Sequence, residues 1–181
     1  DVLEVELGKR KIPYTKYGGL KFLEAAHVKD LMSVLRWADN PRHSLAVFRV
    51  AQLLPGMGPA NARHAVEHLA ANNYSFASLG TFAAPAPAKH AFEKLTELLV
   101  ALADPQRQWQ GQVHMAREWY RPHFERVYEH FHTRLGDLDQ LELLSGQYPS
   151  RERFLTEMTL DPPNATSDLA GTPMLDEDYL T

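Results

Sequence analysis

Residues 53–63 read LLPGMGPANAR, two glycines flanking one apolar residue with helix-forming sequence on either side. A chain that reverses between two helices in so few residues needs positions that tolerate positive φ and close backbone approach, and Gly56 and Gly58 are the candidates. Met57 between them is expected to point into the interhelical core. Pro59 suits the first turn of the next helix, because its missing N–H would lack a partner anyway. Ala62, one turn later, is small enough to let the helices approach. The pattern is that of a helix-hairpin-helix element, and the chemistry it offers is anion binding. The N–H groups from Gly58 to Asn61 would face outward at the positive end of the helix dipole, where a phosphate oxygen fits without any base contact. Gly56, Met57, Gly58, Pro59, Ala60, Asn61 and Arg63 form the candidate backbone-binding set, with Arg42 and Arg49 as further helpers. The aliphatic stem of Arg49 serves equally well for helix packing. The competing reading is a plain Gly-Pro helical hairpin with no ligand. Leu-Pro before the first glycine and alanine four residues after the second favour the phosphate reading.

Other chemistry is weaker. HMAREWYRPHFERVYEHFH (residues 114–132) gathers His114, His123, His130 and His132 among Glu118, Glu125 and Glu129. His114 and Glu118 stand one helical turn apart, but no His-Glu-x-x-His occurs and Pro122 interrupts the pattern, so solvated histidines are favoured over a metal site. Trp109, Trp119, Tyr120, Phe124, Tyr128 and Phe131 read as core and helix-contact residues rather than a base-stacking platform. Lys29 and Asp30 could pair within one helix. Lys21 could contact a nucleic-acid backbone or fix the turn at Gly18-Gly19. No Ser/His/Asp arrangement follows from spacing, so no catalytic residue is assigned.

The elements that must position these groups are almost all helical. The chain has 181 residues, 44% of them hydrophobic, enough for one sizeable core. Apolar spacing predicts helices over 22–38, from Leu45 to the glycine motif, from Pro59 onward, and over 88–103, 108–120, 122–134, 137–145 and 150–160. KIPYTKYGG (11–19) reads as a short extended segment closed by a turn, TFAAPAPAKH (81–90) as a connector, and the tail after Leu160 as irregular. No internal repeat is visible. A start at Asp1 and an end in mid-pattern at Thr181 suggest a piece of a longer protein. The net charge of −4 hides an asymmetry: residues 1–64 hold ten Lys/Arg against six Asp/Glu (+4), and residues 65–181 nine against seventeen (−8). The glycine motif lies in the basic third, where local excess matters most for phosphate. There is no cysteine, which excludes disulfides and thiolate metal sites. With no signal peptide and no apolar run of membrane length, the sequence reads as a soluble cytoplasmic domain with no membrane partner.

Two longer stretches carry a family resemblance. IPYTKYGGLKFLEAAHVKDLMSVLRWADNP (12–41) resembles the segment of UvrD/PcrA/Rep-type superfamily 1 DNA helicases that leaves the second motor domain and enters its inserted 2B subdomain. The family's Tyr/Phe-Gly-Gly, basic residue and Phe, then Ile/Val-Lys-Asp, are matched by Tyr17, Gly18, Gly19, Lys21, Phe22, Val28, Lys29 and Asp30. Its Gly-Ile-Gly hairpin is matched by Gly56-Met57-Gly58. RLGDLDQLELLSGQYPSRERFLTEMTLDPP (134–163) is similar to its closing helices, with Leu138, Leu141, Phe154 and Leu155 at apolar positions. Departures exist: the common Phe-Phe-Glu-Arg is Phe22-Leu23-Glu24-Ala25 here, and residues 72–134 have no counterpart that can be placed. A nucleotide-binding P-loop is also missing, since Gly8-Lys9 has Leu3 at the first glycine position and Arg10 in place of the hydroxyl. DEDYL at Asp176 lacks the apolar strand of an acidic Mg²⁺ box.

The resemblance implies an all-α, compact multi-helix 2B-like subdomain at 20–160 with short extended segments at the termini. Residues 1–19 would be a remnant of the second motor domain, and 161–181 a return linker. It implies an accessory that holds duplex or forked DNA by phosphate contacts, through the hairpin and Lys21, and swings about hinges at Gly18-Gly19 and in the tail. ATP and Mg²⁺ would serve a 3′–5′ parent helicase and not this chain, and the motor domains of the same polypeptide would be partners of a monomer. The alternative is a helical protein-interaction or autoinhibitory module without direct DNA contact.

Overall fold

The computed structural model describes residues 20–160; the terminal segments expected at 1–19 and 161–181 lie outside the described residues. The order is α1 (Leu20–Glu24), α2 (Ala26–Asp39), α3 (Ser44–Ala51), α4 (Pro59–Ala71), a 3₁₀ turn (Phe76–Thr81), α5 (Lys89–Ala103), α6 (Gln112–Val127), a second 3₁₀ turn (Phe131–Arg134), α7 (Leu135–Ser145) and α8 (Arg151–Leu160). The described residues contain no strand, and the fold is all-α.

The helix expected over 22–38 is broken at Ala25, whose extended backbone (ψ 137°) separates α1 from α2. Beyond that break, α2 is the centre of the molecule. Val28, Leu31, Val34, Leu35 and Trp37 are fully buried, and so, on its other sides, are His27, Asp30 and Ser33. A helix buried nearly all round must have neighbours all round, and α2 touches α1, α3, α5, α6, α7 and α8. Helix α4 instead packs on α3 and the first 3₁₀ turn.

A second correction concerns α6. Pro122 was expected to divide two helices, yet α6 runs through it to Val127. Pro122 is exposed while Tyr120, His123 and Phe124 are buried on the other side. Water can therefore serve the carbonyl one turn back that proline leaves unbonded, and the buried face holds the helix together.

The polar groups that enter the core are almost fully partnered. Asp30, 4% exposed, accepts bonds from Arg49 Nε (2.6 Å), Tyr120 Oη (3.0 Å) and Tyr128 Oη (2.6 Å). Arg49 also donates to the Ala26 carbonyl at 3.0 Å. The expected Lys29–Asp30 pair does not form: successive helical residues point about 100° apart, and Lys29 is exposed while Asp30 faces inward. Burial, reinforced by the Asp30 charge and hydrogen bond, raises both phenols above the ordinary tyrosine range, so they stay protonated donors. Arg151 at the start of α8 closes a second junction, donating to the carbonyls of Leu102 (2.9 Å) and Ala38 (3.2 Å), to Gln112 Oε1 (2.9 Å) and to Asp39 Oδ1 (3.1 Å). The carbonyls of Ala38 and Leu102 lie in the last turns of α2 and α5, where acceptors lack helical partners.

Two histidines are also internal. His27 donates Nε2–H to Asp137 Oδ2 at 2.8 Å, and its Nδ1 is buried without a partner. Burial lowers its pKa despite Asp137, because a second proton would sit on an unpaired nitrogen. His123 stacks on Trp119 (4.7 Å between centroids), and burial, helped by the Arg126 charge, pushes it down to about 4. The expectation of solvated histidines thus fails for His123.

Three outcomes follow. Asp30→Ala strips a guanidinium and two phenols of their acceptor and should lower unfolding free energy by about 3–5 kcal/mol, read from urea denaturation. Tyr128→Phe, at the more exposed phenol, should cost about 1 kcal/mol. Acidification should also destabilise the fold. As pH falls from about 6.5 toward 5, the unfolded chain charges histidines that the native chain keeps neutral, so unfolding takes up protons and stability drops. A stability flat across that window would contradict the neutral assignment of His27 and His123.

Candidate nucleic-acid interface

Helix α3 ends at Ala51, and Leu53 and Leu54 bury themselves in the turn that follows. Met57 is 3% exposed, as its place between the glycines predicted, and its N–H bonds the Leu54 carbonyl at 3.2 Å. On either side of it Gly56, Gly58, Pro59 and Ala60 are exposed. The corner is therefore anchored by one inward side chain and otherwise faces solvent.

The two glycines have different reasons to be glycine. Gly56 has φ +74°, and an added Cβ would also lie 3.4 Å from the Pro87 ring. Gly58 has φ −75° and ψ 178°, an extended conformation open to any residue, so the expectation of positive φ holds at Gly56 alone. Nothing lies within 4 Å of where a Gly58 Cβ would stand. Neither backbone nor internal packing requires glycine there, and what its absence of side chain creates is open surface in front of α4.

Helix α4 begins at Pro59, and its first internal bond runs from Ala62 N–H to the Gly58 carbonyl at 3.0 Å. Pro59 has no N–H, and the N–H groups of Gly58, Ala60 and Asn61 meet no acceptor among the described residues. The first turn carries no acidic residue. Exposed amides at the positive end of a thirteen-residue helix, with no carboxylate competing, suit an anion. Ala62 is fully buried against the neighbouring helix.

The other expected side chains distribute as follows. Arg63 is exposed one turn into α4. Asn61 braces the corner, donating Nδ2–H to the Gly56 carbonyl at 3.2 Å. Arg49 is committed to Asp30 and Ala26. Arg42 lies beyond the opposite end of α3, its guanidinium 4.2 Å from the Tyr74 ring centroid. Of Lys21 only the backbone is described, and Gly18 and Gly19 lie outside the described residues. His114 pairs with Glu142 at 3.0 Å rather than with Glu118, and among the described residues no three His, Cys, Asp or Glu side chains could share a metal ion.

Sequence reasoning missed the support from α6. Arg126 donates a short hydrogen bond to the Leu53 carbonyl. Arg126 lies about seventy positions from the turn it holds, and no local pattern links the two.

The family comparison covers the same residues. The family described as UvrD-like helicase C-terminal domain matches residues 1–144. The chain is similar to the ATP-dependent DNA helicase PcrA of Staphylococcus aureus, 35% identical over 81 residues, or 44% of this chain and 11% of that protein. It resembles the PcrA of Staphylococcus epidermidis at 35% over 75 residues, or 41% and 10%. The matched stretch thus spans about a tenth of these relatives. No helix of the described residues is long and apolar enough to cross a membrane. With four fifths of its length inside the family match, the chain belongs to the UvrD-like helicase C-terminal domain family.

Proposed function

We propose that this chain is the accessory, duplex-binding body of an ATP-dependent, 3′–5′ DNA helicase, working inside the cell as part of a monomer. The single observation behind this reading is the corner at Gly56–Asn61: open to solvent at Gly56, Gly58, Pro59 and Ala60, free of side chain at Gly58, and offering amides at the start of α4 that meet no acceptor among the described residues. A sugar-phosphate strand resting there gains charge-assisted hydrogen bonds from Gly58, Ala60 and Asn61 N–H, with Arg63 adding a cation. None of these groups reads a base, so binding is to backbone geometry. ATP and Mg²⁺ belong to motor segments outside this chain, whose sequence has no P-loop. The body would turn on hinges at Gly18-Gly19 and 161–181 and so bias the motor between open and closed arrangements.

Few phosphates can be neutralised at one corner, so affinity should be weak and strongly salt-dependent. Fluorescence anisotropy with a labelled duplex at low and high salt measures it. Gly58→Ala should bind and fold like the parent, since its methyl enters empty space. Gly58→Leu should weaken binding about tenfold or more by covering the amides, while urea midpoints stay put. Arg63→Ala should weaken binding and reduce the salt slope by about one. Asn61→Ala is a poorer probe, because it also removes the brace to Gly56. Duplex affinity indifferent to both Gly58→Leu and Arg63→Ala would remove DNA from the corner and leave the protein-interaction or autoinhibitory reading in its place.

A further inference from the structure

The charge around the glycine corner does not follow the division of the sequence into a basic segment, 1–64, and an acidic remainder. Gly56 rests against the ring of Pro87: a Cβ added there would stand 3.4 Å from the Pro87 Cβ and Cγ. Pro87 belongs to a tight turn that the Ala88 N–H closes on the Pro85 carbonyl at 2.8 Å, with Ala88 fully buried. Just beyond it, Lys89 opens α5 and is exposed. On another flank, exposed Arg126 of α6 reaches the Leu53 carbonyl, shortly before Gly56. With Arg63 of α4, three helices bring one cation each to the same corner, and Lys89 and Arg126 both come from the acidic remainder.

None of these three cations has a carboxylate partner among the described residues. Lys94, further along α5, is by contrast neutralised by Glu97 at 2.8 Å. Glu67 and Glu93 stand one turn beyond Arg63 and Lys89, farther from the corner, and Glu93 faces His90 at 3.9 Å. The first turns of α4 and α5 carry no acid. Arg126 spends Nη2 on Leu53, and a guanidinium has five N–H donors, so others remain for a ligand. Three unpaired cations around exposed, uncharged Gly56, Gly58, Pro59 and Ala60 leave a local positive potential that an outside polyanion would neutralise. An acidic peptide would also meet the charge, but Met57 is only 3% exposed and the corner presents no large apolar side chain. A protein partner finds little to bury there, whereas a phosphodiester needs only donors and charge.

We propose that Lys89 and Arg126 complete the corner as a phosphate-binding rim, so that one DNA backbone crosses three cations held by α4, α5 and α6. The inference rests on the duplex reading above and deepens it, adding two residues from outside the hairpin and a number of phosphates. The amides carry no net charge, so the side-chain cations set how many counterions are released. Three neutralised phosphates correspond to a slope of about −3 for log affinity against log salt on duplex, and about −2 on a single strand. A strand already held at regular spacing by its complement meets such a rim without first being ordered.

Anisotropy of a labelled duplex over a salt series, with the 181-residue chain, tests the rim. The parent slope should be about −3. Lys89→Ala and Arg126→Gln should each weaken binding several-fold at low salt and reduce the slope by about one, and the double variant should keep about −1. Glutamine retains a donor for the Leu53 carbonyl; should Arg126→Gln still lower the urea midpoint, Lys89→Ala, at an exposed position, decides alone. Lys94→Ala, which removes a paired cation from the same helix, should change neither affinity nor slope. Slopes equal to the parent's in both Lys89→Ala and Arg126→Gln overturn the proposal. So does a loss in Lys94→Ala as large as that in Lys89→Ala, which would make the effect one of overall charge. Tighter binding of polyglutamate than of duplex at equal salt overturns it in favour of an acidic protein partner. Gly58→Leu keeps the two readings apart: binding lost there but untouched by Lys89→Ala and Arg126→Gln leaves DNA on the corner and refutes the rim alone.

Discussion

The fold turns on one buried carboxylate. Asp30 sits on the central helix and draws Arg49 of α3, Tyr120 of α6 and Tyr128 just after α6 onto a single group. An isolated carboxylate in that position would cost several kcal/mol or give up its charge. Three donors, one of them cationic, satisfy its oxygens, and every partner is fixed in return. Elements far apart in sequence thereby acquire one register. The same commitment decides the surface, because an arginine serving Asp30 is withdrawn from any outside ligand.

The corner inherits this rigidity from both sides. Its leading arm, α3, is held by Arg49, and the Leu53 carbonyl at its base is pinned by Arg126 of α6. Met57 fills the space beneath. Exposed backbone is ordinarily the most mobile part of a protein, but here it is braced by core elements. A rigid array of amides would bind an anion without first losing conformational freedom, so bracing and openness are both consistent with the proposed role.

Much of this was legible in the sequence, and the boundary of legibility is physical. Helical periodicity placed the apolar face of α5, with Phe92, Leu95, Leu98, Leu99 and Leu102 all buried. The resemblance placed Leu138, Leu141, Phe154 and Leu155, also buried. Met57 inside and glycines outside followed from local steric rules. What was not legible depends on distant partners. Nothing near Asp30 announces two tyrosines about ninety residues away, so the adjacent Lys29 looked like its partner. Nothing near Pro122 shows that its face is solvent, so a helix break was expected. Leu45 matched the spacing of a core residue and stands outside, since spacing identifies a stripe without saying what covers it. Gly58 is the subtlest case: its type was read as a demand of the backbone, whereas the space around it is simply empty.

The places where the chain joins and leaves the helical body have a mechanical consequence. Leu23 and Glu24, near the first described residue, and Met158 and Thr159, near the last, line one groove, so both ends of the described body lie on one face. Load applied there enters through α1 and α8, and α8 is riveted at its far end by Arg151 to the ends of α2 and α5. Tension on these two helices would therefore meet the central helix before it reached the periphery. Such a body passes load through its centre as one piece, without its interior being sheared.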